Sequence, residues 1–349
     1  MSLRTPIVLH EPLKRQRTDY RIGLSAWTDK SMLQEGEFYP RKTMTAEERL
    51  WWYSRFFDVV EVNSSFYAIP SIETTALWVR RTPSGFLFNV KAYGLLTGHH
   101  LDVARLPDVL KKMLPHGRRG QARVPSSVFG AEARSWAFAE LSKSLRPLRQ
   151  ADKLGYVLFQ LAPWIKATDE AKSYLSTLPS ELPDSVIAIE FRNRSWFGEH
   201  TDETLRFLAQ HGLTYVSIDG PRSRASVPSL PALTSPAAVF RLHGRNFKGF
   251  LAQLQGKAPT VAEKYDYLYS DKEVAEIARA AGALNGNAER VHLAMNNNRR
   301  DYPVINGLKL KEMLLEDWHP PDRKQLIEEL EERRSASKTV SKRRGRRAA

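Results

Sequence analysis
The chain has 349 residues with a net charge of +14, aromatic content of 10% and eight Trp, and no Cys. The absence of Cys excludes disulfides, thiolate metal sites and a Cys nucleophile. No apolar run is long enough for a membrane span, and the polar N-terminus lacks the apolar core of a signal peptide, so a cytoplasmic protein with no membrane partner is expected.

Taken in order, residues 1–19 read as a flexible leader. Arg21–Ser25 is a first strand, and a loop with Trp27 and Phe38-Tyr39-Pro40 follows it. Thr45 and Glu48 have the spacing of a capping box and open a helix that runs through Phe57. The stretch from Asp58 to Pro70 organises the chain. It is a strand over 58–63 in which Val60 and Val62 share one face and Glu61 and Asn63 the other, because strand side chains alternate. A helix from Ser71 stops near Pro83, and Phe86–Lys91 is the next strand. Residues 106–114 form a short helix. The basic stretch 115–130, rich in Pro, Gly and Ser, reads as a mobile inserted loop. A helix over 131–148 leads to the strand Tyr156–Leu161, and Thr168 starts another helix. The strand Val186–Arg192, a helix from Thr201 to His211 and the strand Leu213–Asp219 come next. A Pro/Ser-rich loop over 220–236 precedes the strand Ala238–His243. Ser270 and Glu273 form a second capping box, followed by the strand Arg290–Asn296 and two last helices. From Arg333 onward the tail carries eight Lys or Arg and no acid, so 333–349 reads as a disordered basic tail open to nucleic acid.

Strands alternating with helices imply parallel βα units, and this number of them closes into a (β/α)₈ barrel. The fold class is therefore α/β, a TIM-like barrel forming one domain over 20–332, with the basic insertion and the tail as additions. Gly23-Leu-Ser-Ala-Trp27 does not match the Gly-rich turn of a doubly wound sheet.

Period two assigns an apolar set to the helix-facing side of each strand, including Val216 and Ile218. It assigns a polar set to the inside, turned toward the carboxyl ends where barrel enzymes build their sites. Glu61, Glu190, Asp219 and His243 are the candidate catalytic residues, as acids, bases or metal ligands. Lys91, Arg192 and Arg241 suit an anionic group, and Asn63, Gln160, Asn296 and Asn297 suit hydrogen bonding to a ligand. Trp27, Tyr39 and Trp196 border the strand ends and suit stacking on bases or sugar rings. A divalent metal is compatible with the carboxylates and His243, yet no His-Glu-x-x-His or His-x-His spacing occurs, and there is no Walker or Gly-x-Ser-x-Gly motif. His99-His100 reads as a surface pair.

The ordered motifs Ser25-Ala26-Trp27, Phe38-Tyr39-Pro40, Val60–Pro70, Phe86–Lys91, Phe159–Pro163, Glu190–Trp196, Arg241–Gly244 and Met295–Asn297 resemble the YecE-like family, domain of unknown function family 72. The resemblance spans about residues 20–315 and implies a TIM-type barrel with no established activity. Ala26 stands for the usual Gly, Met295 for a Phe and Asn298 for a common Asp, and Gln160–Pro163 has one extra residue.

Three functions fit this set. One is a metal-assisted hydrolase of a phosphate-bearing or nucleic-acid substrate. Another is an enzyme for a carbohydrate or other small polar ligand, with paired carboxylates. The last is a non-catalytic binder of a ligand or nucleic acid. Each places an anionic or polar small molecule, or nucleic acid, at the rim.

Overall fold
The computed structural model describes residues 5–9, 17–221, 223, 226–257, 263 and 265–347, with side chains described to Ser335 except at 253 and 254. Eight parallel strands close into a barrel. In chain order they are β2 (Asp19–Leu24), β3 (Val59–Val62), β4 (Leu87–Lys91), β7 (Leu154–Gln160), β8 (Ile187–Glu190), β9 (Thr214–Asp219), β11 (Ala237–Leu242) and β12 (Arg290–Met295). Each pairs with the next, and β12 closes on β2 in the register Arg290↔Asp19 to Met295↔Leu24. The remaining strands are β1 (Ile7–Val8), β5 (His100–Asp102), β6 (Arg123–Pro125) and β10 (Ala232–Leu233), which form two small ribbons, β1–β10 and β5–β6.

Helices wrap the barrel: α1 (Lys30–Glu35), α2 (Ala46–Phe56), α3 (Ile72–Arg80), α4 (Asp108–Met113), α5 (Ala131–Gln150), α6 (Asp169–Glu181), α7 (Thr201–Gln210), α8 (Phe247–Leu254), α9 (Asp271–Gly282), α10 (Tyr302–Leu314) and α11 (Arg323–Arg347). Both expected capping boxes are present. The Glu48 amide donates to Thr45 Oγ1 at 3.2 Å and the Thr45 amide to Glu48 Oε2 at 2.7 Å; Ser270 and Glu273 repeat the exchange. Such a box satisfies two of the orphan N–H groups at a helix start. The outward side chains Ile22, Leu24, Val60, Val62, Phe88, Val90, Phe159, Ile189, Phe240, Leu242, Leu293 and Met295 are buried in the layer under the helices.

One strand inverts the expected alternation. On β9 it is Val216 and Ile218 that point inward, packed with Tyr156, Leu158, Ala188 and Val239. The pairing Val239↔Val216 and Arg241↔Ile218 requires this, because paired residues of a parallel sheet face the same side. Ser217 and Asp219 therefore face outward. Their polar character is explained by what covers them: Ser217 Oγ accepts from the Ala232 amide of β10 at 3.3 Å, and Asp219 is held by Arg245.

Three other expectations change. The stretch 115–130 supplies one strand, β6, of a short antiparallel ribbon whose other strand, β5, precedes it, with Leu101 and Val124 opposite each other and buried. Those two residues give the basic segment a small apolar anchor. In the leader, Ile7–Val8 pairs with Ala232–Leu233, and β2 starts at Asp19; positions 1–4 and 10–16 lie outside the described residues. Instead of disorder, the tail backbone continues as helix to Arg347. Its Lys, Arg and Ala are strong helix formers, and Arg334 ties the helix to Glu48 at 3.0 Å. Positions 348–349 lie outside the described residues. Among the described residues no helix is long and apolar enough to cross a membrane.

Candidate functional site
The barrel interior is filled from the bottom. Arg21 and Arg290 donate to Asp19 Oδ2 at 2.9 and 2.7 Å. Above them His292 stands edge-on to Tyr156, 5.0 Å between ring centres, and contacts Asn89 Nδ2 at 3.5 Å. Burial pushes the His292 imidazole down to about 3, so it is neutral. Gly155 leaves room here: a Cβ would sit 2.0 Å from Asn89 Oδ1.

The upper interior is one connected polar network. Tyr156 donates to Glu61 Oε2 at 2.7 Å. Arg241 grips the same carboxylate with Nε and Nη2, at 2.9 Å to Oε2 and 2.6 Å to Oε1. Its Nη1 donates to Glu190 Oε2. Glu190 Oε1 also accepts from Gln160 Nε2 at 2.6 Å and lies 3.0 Å from Arg192 Nη1. Gln160 Oε1 accepts from Lys91 Nζ at 2.8 Å. Glu61, Glu190 and Arg241 are all buried. Burial alone would raise the Glu190 carboxyl, but Arg241 and Arg192 overcome it and hold it well below the usual carboxylate range. The same carboxylates raise Arg241 against its burial. A desolvated triad of this kind requires its partners, because any one charge left alone in the interior is costly.

Lys91 is where the network meets the open cavity. Its amine lies 4.2 Å from the centre of the Phe66 ring. Burial brings it down to about 7; Arg241 and Arg192 push the same way, and Glu190 and Glu61 oppose. On the other side Asn296 Nδ2 donates to His243 Nδ1 at 2.7 Å, which fixes the neutral ring as the Nε2–H tautomer. Burial lowers His243 to about 4, outweighing Glu190, whose Oε1 lies 3.5 Å from Nε2.

A cavity of about 630 Å³ opens above, lined by Asn63, Lys91, Gln160, Arg241 and Asn296 together with Tyr67, Tyr265, Asn298, Arg299 and the start of α1. That volume suits a small-molecule site. Asn63 anchors its Nδ2 on the Ser25 carbonyl at 2.9 Å, while its Oδ1 has no partner; Asn298 Oδ1 is also buried and unpartnered. Helix α1 starts at Asp29, whose Oδ1 accepts from the Ser31 amide at 2.9 Å. Glu35 at its end pairs with Arg299 at 2.6 Å across the rim.

The structure thus gathers Glu61, Asn63, Lys91, Gln160, Glu190, Arg192, Arg241, His243 and Asn296. Five expected site residues lie elsewhere. Asp219, on the outward face of β9, accepts from Arg245 Nε and Nη2 at 2.8 Å each and from the Tyr269 hydroxyl at 2.9 Å. Tyr39 is buried under the helices and donates to the Trp27 carbonyl. Trp27 packs edge-on against Trp78 at 5.9 Å. Trp196 is fully buried, stacked on Phe191 at 4.3 Å, with its Nε1 donating to the Ile165 carbonyl at 3.1 Å. Asn297 turns away from the cavity to the Tyr267 carbonyl and Asn306 Oδ1, at 2.8 and 3.1 Å. Trp27, Tyr39 and Trp196 thus seal loops onto the barrel. The sequence reasoning missed α1, although Asp29 two and three residues before Ser31-Met32 is an N-cap signal.

The donor set does not fit a divalent metal. Among the described residues no three His, Asp or Glu side chains come together as metal ligands. Arg241 occupies both oxygens of Glu61 and one of Glu190, whose other oxygen accepts from Gln160.

Comparison with known proteins agrees with this architecture. The chain is similar to the UPF0759 protein YunF of Bacillus subtilis (strain 168), 31% identical over 296 residues, covering 84% of this chain and 94% of that protein. The crystal structure of a DUF72 family protein from Thermotoga maritima MSB8 matches with a TM-score of 0.66 and 27% identity, over 85% of this chain and 99% of that one. Another, from Enterococcus faecalis V583, matches in fold with a TM-score of 0.68 and 24% identity, over 87% and 98% of the two chains. With residues 21–330 matching the family described as "Protein of unknown function DUF72", a closed parallel barrel and these relatives, the chain belongs to the DUF72 family.

Proposed function
We propose that the barrel mouth is an enzyme active site for a small polar ligand, with Lys91 as the group that gives and takes the proton. The observation that carries this is the Lys91 amine, set between Gln160 Oε1 and the Phe66 ring at the cavity wall and lowered to about 7 by burial. An amine half-protonated at neutral pH is matched to general acid–base work. Asn63 and Asn298 line the cavity, and rotation of either amide would turn its buried, unpartnered carbonyl oxygen toward ligand hydroxyl or amine groups. Glu61 and Glu190 balance Arg241 and Arg192 beneath, which favours a neutral or singly charged ligand over a polyanion at this point. In this scheme the two glutamates position Arg241 and Gln160. Neither serves as the free acid of a two-carboxylate glycosidase or as a metal ligand, because both are buried and hydrogen-bonded.

The test is competitive acetylation of the folded protein with acetic anhydride across pH, read by peptide mass spectrometry. Lys91 should titrate near 7. A midpoint near that of ordinary lysines would refute the assignment. A metabolite screen by thermal shift then supplies a substrate, on which Lys91→Met should retain binding and lose turnover.

A further inference from the structure
Outside the cavity, a line of rings runs from its lip onto the inserted ribbon. Tyr67 lines the cavity and stands edge-on to Phe66 at 5.0 Å. Phe66 meets His99 at 4.9 Å, His99 meets Trp164 at 6.0 Å, and Trp164 meets His100 on β5 at 5.0 Å. Two large members of the line are open to solvent: Tyr67 is 58% and Trp164 50% exposed. Trp164 is nonetheless held in place, its Nε1 donating to the Gly98 carbonyl at 3.1 Å. An aromatic side chain anchored by its polar edge with its face in water presents a stacking surface whose ordering cost is already met.

Cations flank these rings. Arg105 lies 5.8 Å from the Tyr67 ring centre, and Arg123 reaches the His100 carbonyl at 3.4 Å. The segment 99–125 carries six Lys or Arg, at 105, 111, 112, 118, 119 and 123, all exposed, against two Asp, at 102 and 108. Aromatic faces interleaved with an excess of cations match the recognition chemistry of a single strand of nucleic acid, where rings stack on bases and cations follow the phosphates. A duplex hides its base faces, and an acidic chain such as polyglutamate has no aromatic faces to stack.

We infer that the strip Tyr67–Phe66–His99–Trp164–His100 and the ribbon beside it form a binding surface for single-stranded nucleic acid. The surface shares Phe66 and Tyr67 with the barrel mouth but does not need the Lys91 proton, and Trp164, Arg105 and Arg123 lie outside the cavity lining, so variants at those three test it separately from the reading of the mouth.

The full-length protein is titrated with a fluorescein-labelled oligothymidylate of about 12 nucleotides, within the span such surfaces cover. The matching duplex and polyglutamate serve as competitors. The single strand should bind best and quench tryptophan fluorescence. Trp164→Ala and Tyr67→Ala should each weaken binding about tenfold, the scale of one lost base–ring stack, while Trp164→Phe, which keeps a ring, should retain most of the affinity. Arg105→Ala with Arg123→Ala should flatten the log–log salt dependence by about 1.4, at about 0.7 per phosphate contact. If these variants bind like the wild type, the basic tail carries the binding and the inference is wrong. It is equally wrong if polyglutamate or duplex competes as well as the single strand.

Discussion
Arg241 Nε and Nη2 hold both carboxylate oxygens of Glu61, a residue 180 positions earlier in the chain, with 1% or less of either side chain exposed. The same guanidinium reaches Glu190. Replacing Arg241 with Met therefore leaves the buried Glu61 carboxylate without its cation and Glu190 with Arg192 alone. The expected loss is about 3–5 kcal/mol of unfolding free energy, the usual effect of stranding a buried charge. Urea denaturation of Arg241→Met should show it, and the triple change Arg241→Met, Glu61→Gln, Glu190→Gln should recover part of it. A single mutant as stable as the wild type would mean that the three charges are not coupled.

Lys91 sets an alkaline signature. Its amine has a folded value of about 7 and an unfolded value near 10.5. Between these pH values the unfolded chain holds a proton that the folded one does not. Stability should therefore rise with pH through that window, by up to about 1.4 kcal/mol per pH unit. Below 7 both states are protonated and the contribution is constant. Lys91→Met should remove this slope from the pH dependence of urea unfolding; an unchanged difference curve would contradict the lowered amine.

The acid side is governed by buried imidazoles. His99 and His243 are lowered to about 4 and His292 to about 3, in each case chiefly by burial. As pH falls from about 6.5 toward 4, the unfolded chain takes up protons that these rings refuse, so stability should decline over that interval. Nitrogen-15 spectra at pH 5.5 should show three neutral rings, with His243 as the Nε2–H tautomer. An imidazolium signal from His243 at that pH would rule out the arrangement with Asn296.

Asp219 gives a negative control for the site. Its carboxylate lies outside the barrel, bound by Arg245 and Tyr269. Asp219→Ala should cost about 1.5–3 kcal/mol of stability, the scale of lost charge-assisted hydrogen bonds, since Arg245 keeps Glu273 at 3.0 Å as a partner. At temperatures where it remains folded, the acetylation midpoint of Lys91 should be unchanged. A shifted midpoint would return Asp219 to the network.

The fate of Asp219 also shows where sequence pattern stops being informative. Period two separated Glu61 from Val60 and Arg241 from Phe240 because one member of each pair is plainly polar and the other packs under a helix. On β9 the alternation is just as clear, but it does not say which set faces in. That is decided by β11 alongside, through Arg241↔Ile218, and by the β10 ribbon that supplies a partner to Ser217. Tyr39 and Trp196 were open to the same ambiguity: an aromatic side chain beside a strand end can line a cavity or close a loop, and their burial is a tertiary fact. The joined network around Glu190 was legible as a list of residues. Its links were not, since Gln160 bridging Lys91 and Glu190 depends on strands meeting in space.

The pairing of β12 with β2 has a consequence for biosynthesis. The first stave cannot find its closing neighbour until residues 290–295 have left the ribosome, so the ring stays open through most of translation. Until Arg241 emerges, Glu61 has no cation to meet, and the nascent chain must carry that carboxylate in water or against a chaperone. Ribosome-stalled chains that still hold Met295 inside the exit tunnel and chains long enough to expose it should differ sharply in protease resistance, with the longer set protected as soon as the last stave can dock.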